Sequence, residues 1–162
     1  MSLPDRPPPG TRLTRIGWET PEGLDDAMIG AVVDAFYARA RRDDVIGPVF
    51  NRVIPDAEWP AHLAKIADFW SSMLLGTGRY DGRPMPKHMA IPELSDAHFM
   101  RWLRLFRETV EELCPPDIAV LFTERSERIG NSFRMNIYMR RGDDITQMGP
   151  LKREAAPVWK PE

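Results

Sequence analysis

A single cysteine, Cys114, stands among the 162 residues. One thiol can form neither an internal disulfide framework nor a thiolate cluster around a metal. Cys114 therefore reads as a buried apolar thiol near a helix end. Excess charge of one sign is missing too. The 22 Lys+Arg and 24 Asp+Glu leave a formal net charge of -2, which excludes the strongly basic footprint of a nucleic-acid binder. No apolar run has the length needed to span a bilayer. The opening "MSLPDRPPPG" has no apolar centre of the signal-peptide kind, so a cytoplasmic chain with no membrane partner is expected. Two-residue alternation is nowhere sustained, and Asp81-Gly82 is a turn without strands around it. Three familiar motifs are absent: a glycine-rich phosphate loop with its lysine, the H-E-x-x-H zinc signature and the G-x-S-x-G elbow. "GTGRYDG" at 76–82 has no strand before it and no prompt helix after it, and reads as a loop.

What is present is an ordinary globular balance, 43% hydrophobic and 28% charged, in a chain long enough for one domain with a real core. Residues 1–19, polyproline-like at Pro7, Pro8 and Pro9, read as a flexible lead. Residues 20–142 read as the domain and 143–162 as a C-terminal tail. Within the domain the apolar period is helical almost throughout. Thr20 as N-cap and Pro21 as first helical residue open a helix carrying Leu24, Met28, Val32, Ala35 and Phe36. "RARRDD" ends it, and "IGPVFN" reads as a Gly-Pro turn that delivers Phe50 to the core. A second helix runs from about Asp56 to Leu75, with His62, Ile66, Phe69 or Trp70, and Met73 on one face, and stops at Gly76 and Gly78. A third starts at Ser95 and carries Phe99, Trp102, Leu103, Phe106, Val110 and Leu113. Pro116 opens the last, whose stripe of Ile118, Leu121, Phe122, Ile129, Phe133 and Ile137 continues to Gly142. The expected architecture is all-α, with four substantial helices around one core.

Five tryptophans and seven phenylalanines are a heavy aromatic load for such a core. Phe69, Phe122 and Phe133 read as packing. Tyr37, Trp70 and Trp102 each bring a polar hydrogen that needs a partner when buried, supplied by internal acceptors or by a ligand. Of the three histidines, His62 reads as a core or rim residue and His98 as a surface or packing residue. His88 lies in "RPMPKHMAIPEL", residues 83–94, where Pro84, Pro86 and Pro92 forbid a long helix. Two readings of it stand side by side. It is a solvated loop residue, or it is an iron ligand on a rigid perch beneath a flat apolar cofactor. In the second case Met85, Met89 and Ile91 supply apolar walls.

The runs "AFYARARRDDVIGPVFNRVI", "WPAHLAKIADFWSSMLLGTGRYDGRPMPKHM" and "HFMRWLRLFRETV" resemble group III truncated haemoglobins over about residues 20–135. The resemblance implies a shortened globin fold, a helical sandwich around haem with the proximal helix reduced to a loop or short turn. It implies haem b (iron protoporphyrin IX) with His88 in "PMPKHM" as the proximal iron ligand. Tyr37 and Trp102 match the family's distal tyrosine and tryptophan, and His62 a distal helix position. Phe50 matches a phenylalanine wedged against the ring, and Ile66 lies over the haem. Trp70, Met85 and Phe106 are counted with the cofactor's walls, and His98 has no ligand role. Arg79, Tyr80 and Lys87 are the candidates for the propionates. The implied activity is reversible binding of O2 and other diatomic ligands, tight because a phenol and an indole donate to the ligand. Two alternatives remain open. One is a haem enzyme, peroxidase-like or nitric-oxide-consuming, served by a separate reductase. The other is a haem-based sensor with the tails as its output surface.

Overall fold

A computed structural model describes residues 12–13, 19–80, 91–146 and 148–154. Two-residue strands β1 (Arg12–Leu13) and β2 (Glu19–Thr20) pair antiparallel, Arg12 opposite Thr20. The helices follow as α1 (Asp26–Ala40), α2 (Gly47–Val53), a single 3-10 turn (Asp56–Glu58), α3 (Trp59–Leu75), α4 (Asp96–Leu113) and α5 (Pro116–Arg140). The all-α expectation holds for the domain, with one helix more among the described residues than the apolar period suggests.

Each departure has a local cause. Thr20 is not the cap of α1, because it pairs in β2. The cap is Asp25, whose backbone is extended and whose carboxylate accepts from the Met28 N–H at 2.9 Å. Nor is "IGPVFN" only a turn. The Asp43 carboxylate accepts from the amides of Val45 and Ile46 at 2.9 and 3.0 Å, and Pro48 falls in the first turn of α2. There proline lacks only a donor that has no helical partner anyway. Leu113 is 42% exposed, because the buried stripe of α4 passes from Val110 to Cys114 instead.

Other boundaries fall where the residues require. Gly76 ends α3 in the left-handed region, at φ 67°. Ser95 and His98 form a reciprocal capping box at the start of α4, with the His98 Nδ1 accepting from the Ser95 amide at 3.2 Å. His98 is thereby a helix-capping residue.

The core lies where α1, α3, α4 and α5 meet, around fully buried Leu24, Val32, Phe36, Phe106, Val110, Ile118 and Phe122. Cys114 is buried beside Met28, with 3.6 Å between the sulfurs, and burial pushes its thiol pKa up. Helices α4 and α5 approach closely because a Cβ on Gly130 would lie only 3.1 Å from Leu103. A smaller cluster of Leu94, Phe99 and Ile137 takes Leu151 from the C-terminal segment. That segment folds back on the domain: the Leu151 amide donates to Asn131 at 3.1 Å, and Arg134 donates to the Gly149 carbonyl at 2.9 Å. The Glu154 carboxylate accepts from Arg101 Nε at 3.1 and 3.2 Å. No helix among the described residues is long and apolar enough to cross a membrane.

Candidate functional site

Helix α3 carries two apolar stripes. Leu63, Ala67, Trp70 and Leu74 pack toward the core, and Trp70 and Leu74 are fully enclosed. The second stripe, His62, Ile66, Phe69 and Met73, steps by four, three and four residues along the adjoining face. Every member of it is only half-buried. Phe69 and Met73 line a cleft of about 420 Å³ whose far wall is Ile129 and Phe133 of α5 and whose rim carries Arg125, Arg128 and Ser132. That volume lies in the range of small-molecule pockets. An apolar face left half-covered beside a cleft of this size suits the wall of a binding site.

At the N-terminal end of the same stripe the side chains become polar. Tyr37 of α1 is buried, and its ring meets those of Phe50 at 5.6 Å, Trp59 at 5.9 Å and His62 at 6.2 Å. Burial pushes the phenol pKa well above its ordinary value, and the Trp102 indole of α4, acting on the phenol oxygen as a hydrogen-bond donor would, offsets this only in part. Behind Trp102 stands a column of parallel rings. Trp102 stacks on Phe106 at 5.8 Å and Phe106 on Trp70 at 5.2 Å, while Phe36 meets Trp102 edge-on at 5.9 Å. This column fixes the tilt of the indole, and hence the direction of its N–H.

Tyr37, Phe50, His62 and Trp102 thus converge, with Ile66 one turn beyond His62 on α3, whereas Trp70 and Phe106 lie behind them in the core as the support of Trp102. His88, Met85 and Lys87 fall outside the described residues. Arg79 is held by the Asp26 carboxylate and the Ser71 hydroxyl, with Asp68 at 3.8 Å. Tyr80 packs edge-on against Phe69 at 5.3 Å, and its amide donates to Ser72 Oγ at 2.9 Å. One residue of the cluster escapes sequence reasoning. Trp59 is 3% exposed, and its Nε1 has no hydrogen-bond partner among the described residues. Its signal was its place three residues before His62 on the same helix.

Comparison with known proteins now becomes decisive. Residues 23–132 match the family described as bacterial-like globin. The group 3 truncated hemoglobin of Campylobacter jejuni is 34% identical over 119 residues, spanning 72% of this chain and 94% of that protein. The chain belongs to the group III truncated haemoglobins. The crystal structure of the group III truncated hemoglobin from C. jejuni superposes with a TM-score of 0.68 at 34% identity. It covers 74% of this chain and 95% of its own. The helical sandwich described above is therefore the truncated globin fold.

Globins are haem proteins, and the residues present fit that group. The half-covered stripe of α3 and the cleft lined by Phe69, Met73, Ile129 and Phe133 offer apolar walls for a flat macrocycle. The buried Trp59 N–H lacks an acceptor beside Tyr37 and His62, as expected where an acceptor arrives from outside the chain. In this truncated globin the described residues after 142 lie beyond the family match, yet they are tied to α4 and α5.

Proposed function

We propose that this truncated globin holds haem b through His88 and binds dioxygen and other diatomic ligands reversibly, with Tyr37 as the principal distal donor. Ferrous haem carried by one histidine offers an open sixth position for such a ligand. The observation that carries the reading is the buried Tyr37 phenol ringed by Phe50, Trp59 and His62, with the Trp102 indole lowering its pKa against the effect of burial. A phenol oxygen that accepts from an indole keeps its own single proton for another acceptor. Burial holds that proton on the oxygen, and a donor that is itself an acceptor is polarised into a stronger one. Tyr37 is therefore set to donate to a polar ligand in the pocket, and Trp102 sets its direction and strength. Met85, Ile66 and Phe50 supply apolar surface in this reading, and His62 flanks the ligand.

Purified protein should be red with a Soret band. His88→Ala should lose haem or retain it weakly. A wild-type spectrum in that variant, with loss of the band in His62→Ala, would overturn the proximal assignment. Steady consumption of peroxide or nitric oxide with a reductant and a separate reductase would move the conclusion from binding to catalysis.

A further inference from the structure

The buried Trp59 ring meets Phe50 at 6.1 Å and His62 at 5.4 Å edge to face, and Tyr37 at 5.9 Å tilted. The Arg41 guanidinium lies 4.6 Å above it. Arg41 is itself fixed, donating to Asn51 at 3.0 Å and to Asp56 at 2.7 Å. A guanidinium over the face withdraws density from the ring and strengthens its N–H as a donor. Yet that N–H, in a side chain 3% exposed, meets no acceptor among the described residues. Buried donors left unmade are costly, and proteins keep few of them. Where one persists among the very rings that form a ligand pocket, its acceptor belongs to what the pocket binds.

We propose that Trp59 is a further ligand-contacting donor of the distal pocket, its indole N–H completed by an oxygen atom that enters the pocket with dioxygen. The proposal rests on the haem-binding reading above. Its role differs from that of Trp102, whose indole acts on the Tyr37 oxygen. Trp59 approaches from α3, so Tyr37 and Trp59 hold the ligand from two helices.

The test uses the full-length holoprotein and two replacements. Trp59→Phe identifies the Trp59 indole proton in the NMR spectrum by its loss. Replacement of Trp59 by 3-benzothienylalanine keeps the bicyclic shape and removes only the N–H. In the wild type, exchanging the ferrous carbon monoxide form for the dioxygen form should move the Trp59 proton downfield, because dioxygen is the better acceptor. The benzothienyl variant should release dioxygen about fivefold to tenfold faster, as expected for one lost hydrogen bond, and carbon monoxide at a nearly unchanged rate. In the haem-free chain the same replacement should leave the melting temperature unchanged or raise it. An unmoved proton, or unchanged dioxygen release, overturns the proposal. So does a lower melting temperature of the haem-free variant, which would mean that the N–H has a partner within the chain. Failure of the underlying reading looks different: the wild type itself would show no Soret band.

Discussion

Tyr37 is enclosed by rings while the Trp102 indole acts on its oxygen to lower its pKa. On the proposed reading Trp102 acts on a ligand through Tyr37, so their effects should not add. Tyr37→Phe should speed dioxygen release by about tenfold or more, and Trp102→Phe by less. The double variant should match Tyr37→Phe alone. Flash photolysis or stopped-flow displacement measures all three, and an additive double variant would show that the indole contacts the ligand independently. The raised phenol pKa also has a stability signature. Below the ordinary value of 10.0 both folded and unfolded chains hold the proton, so the contribution is present in full. Above it the unfolded chain ionises first, and stability falls as pH rises toward the folded-state value. Urea titrations above pH 10 should show a shallower fall in Tyr37→Phe.

At the scale of elements, short polar contacts decide how the helices sit. Asp96, first residue of α4, accepts from Arg134 of α5 at 2.7 and 3.0 Å and from the Tyr138 hydroxyl at 2.7 Å. Chiefly through Arg134, its carboxyl is held below the ordinary aspartate range. Its contribution is therefore present above that range and lost as pH falls through it, and Asp96→Asn should flatten the acid limb of the stability curve. A Cβ on Gly47 would fall 2.7 Å from the Arg41 carbonyl. Gly47→Ala should accordingly cost about 1–3 kcal/mol by overpacking the corner that leads to Phe50, read as a lower urea midpoint. The long helices were legible because their apolar period is long and regular, and Ser95, Gly76 and Pro116 mark real ends. The start of α1 was not, since Thr20-Pro21 and Asp25 offer competing caps and only the pairing of β2 decides between them. Helix α2 was hidden because Gly47-Pro48 carries the same letters in a turn and in a first helical turn. In the site, Tyr37, His62 and Trp102 were legible through the family's motifs. Trp59 was not, because an unmet donor is a property of surroundings rather than of spacing.

Over the whole molecule, the C-terminal segment behaves as a strap. Glu154 lies between Arg101 and Arg104, 3.1 and 3.4 Å from their Nε atoms, and Arg101 also reaches Asp43 and Asp44 at the α1–α2 corner. Arg101 thus links the tail, the corner and the helix position beside Trp102. Removing residues 147–162 should lower stability by about 1–3 kcal/mol, since Leu151 leaves its cluster and Arg104 loses a partner. Glu154→Ala should reproduce the electrostatic part, and the loss should shrink as salt is added. Equilibrium urea unfolding of the three proteins at low and high salt measures this.

The half-covered stripe of α3 has a consequence for the life of the chain. Without its prosthetic group the protein leaves His62, Ile66, Phe69 and Met73 half-covered, the last two lining a cleft open to water, and forgoes the stabilisation that occupancy confers by mass action. That stabilisation is about 2.7 kcal/mol when free haem stands a hundredfold above its dissociation constant. A difference of this size changes the fraction of time a chain spends open to proteases by roughly a hundredfold. The abundance of this globin should therefore follow haem supply after translation, so that in starved cells the protein is cleared rather than stored empty.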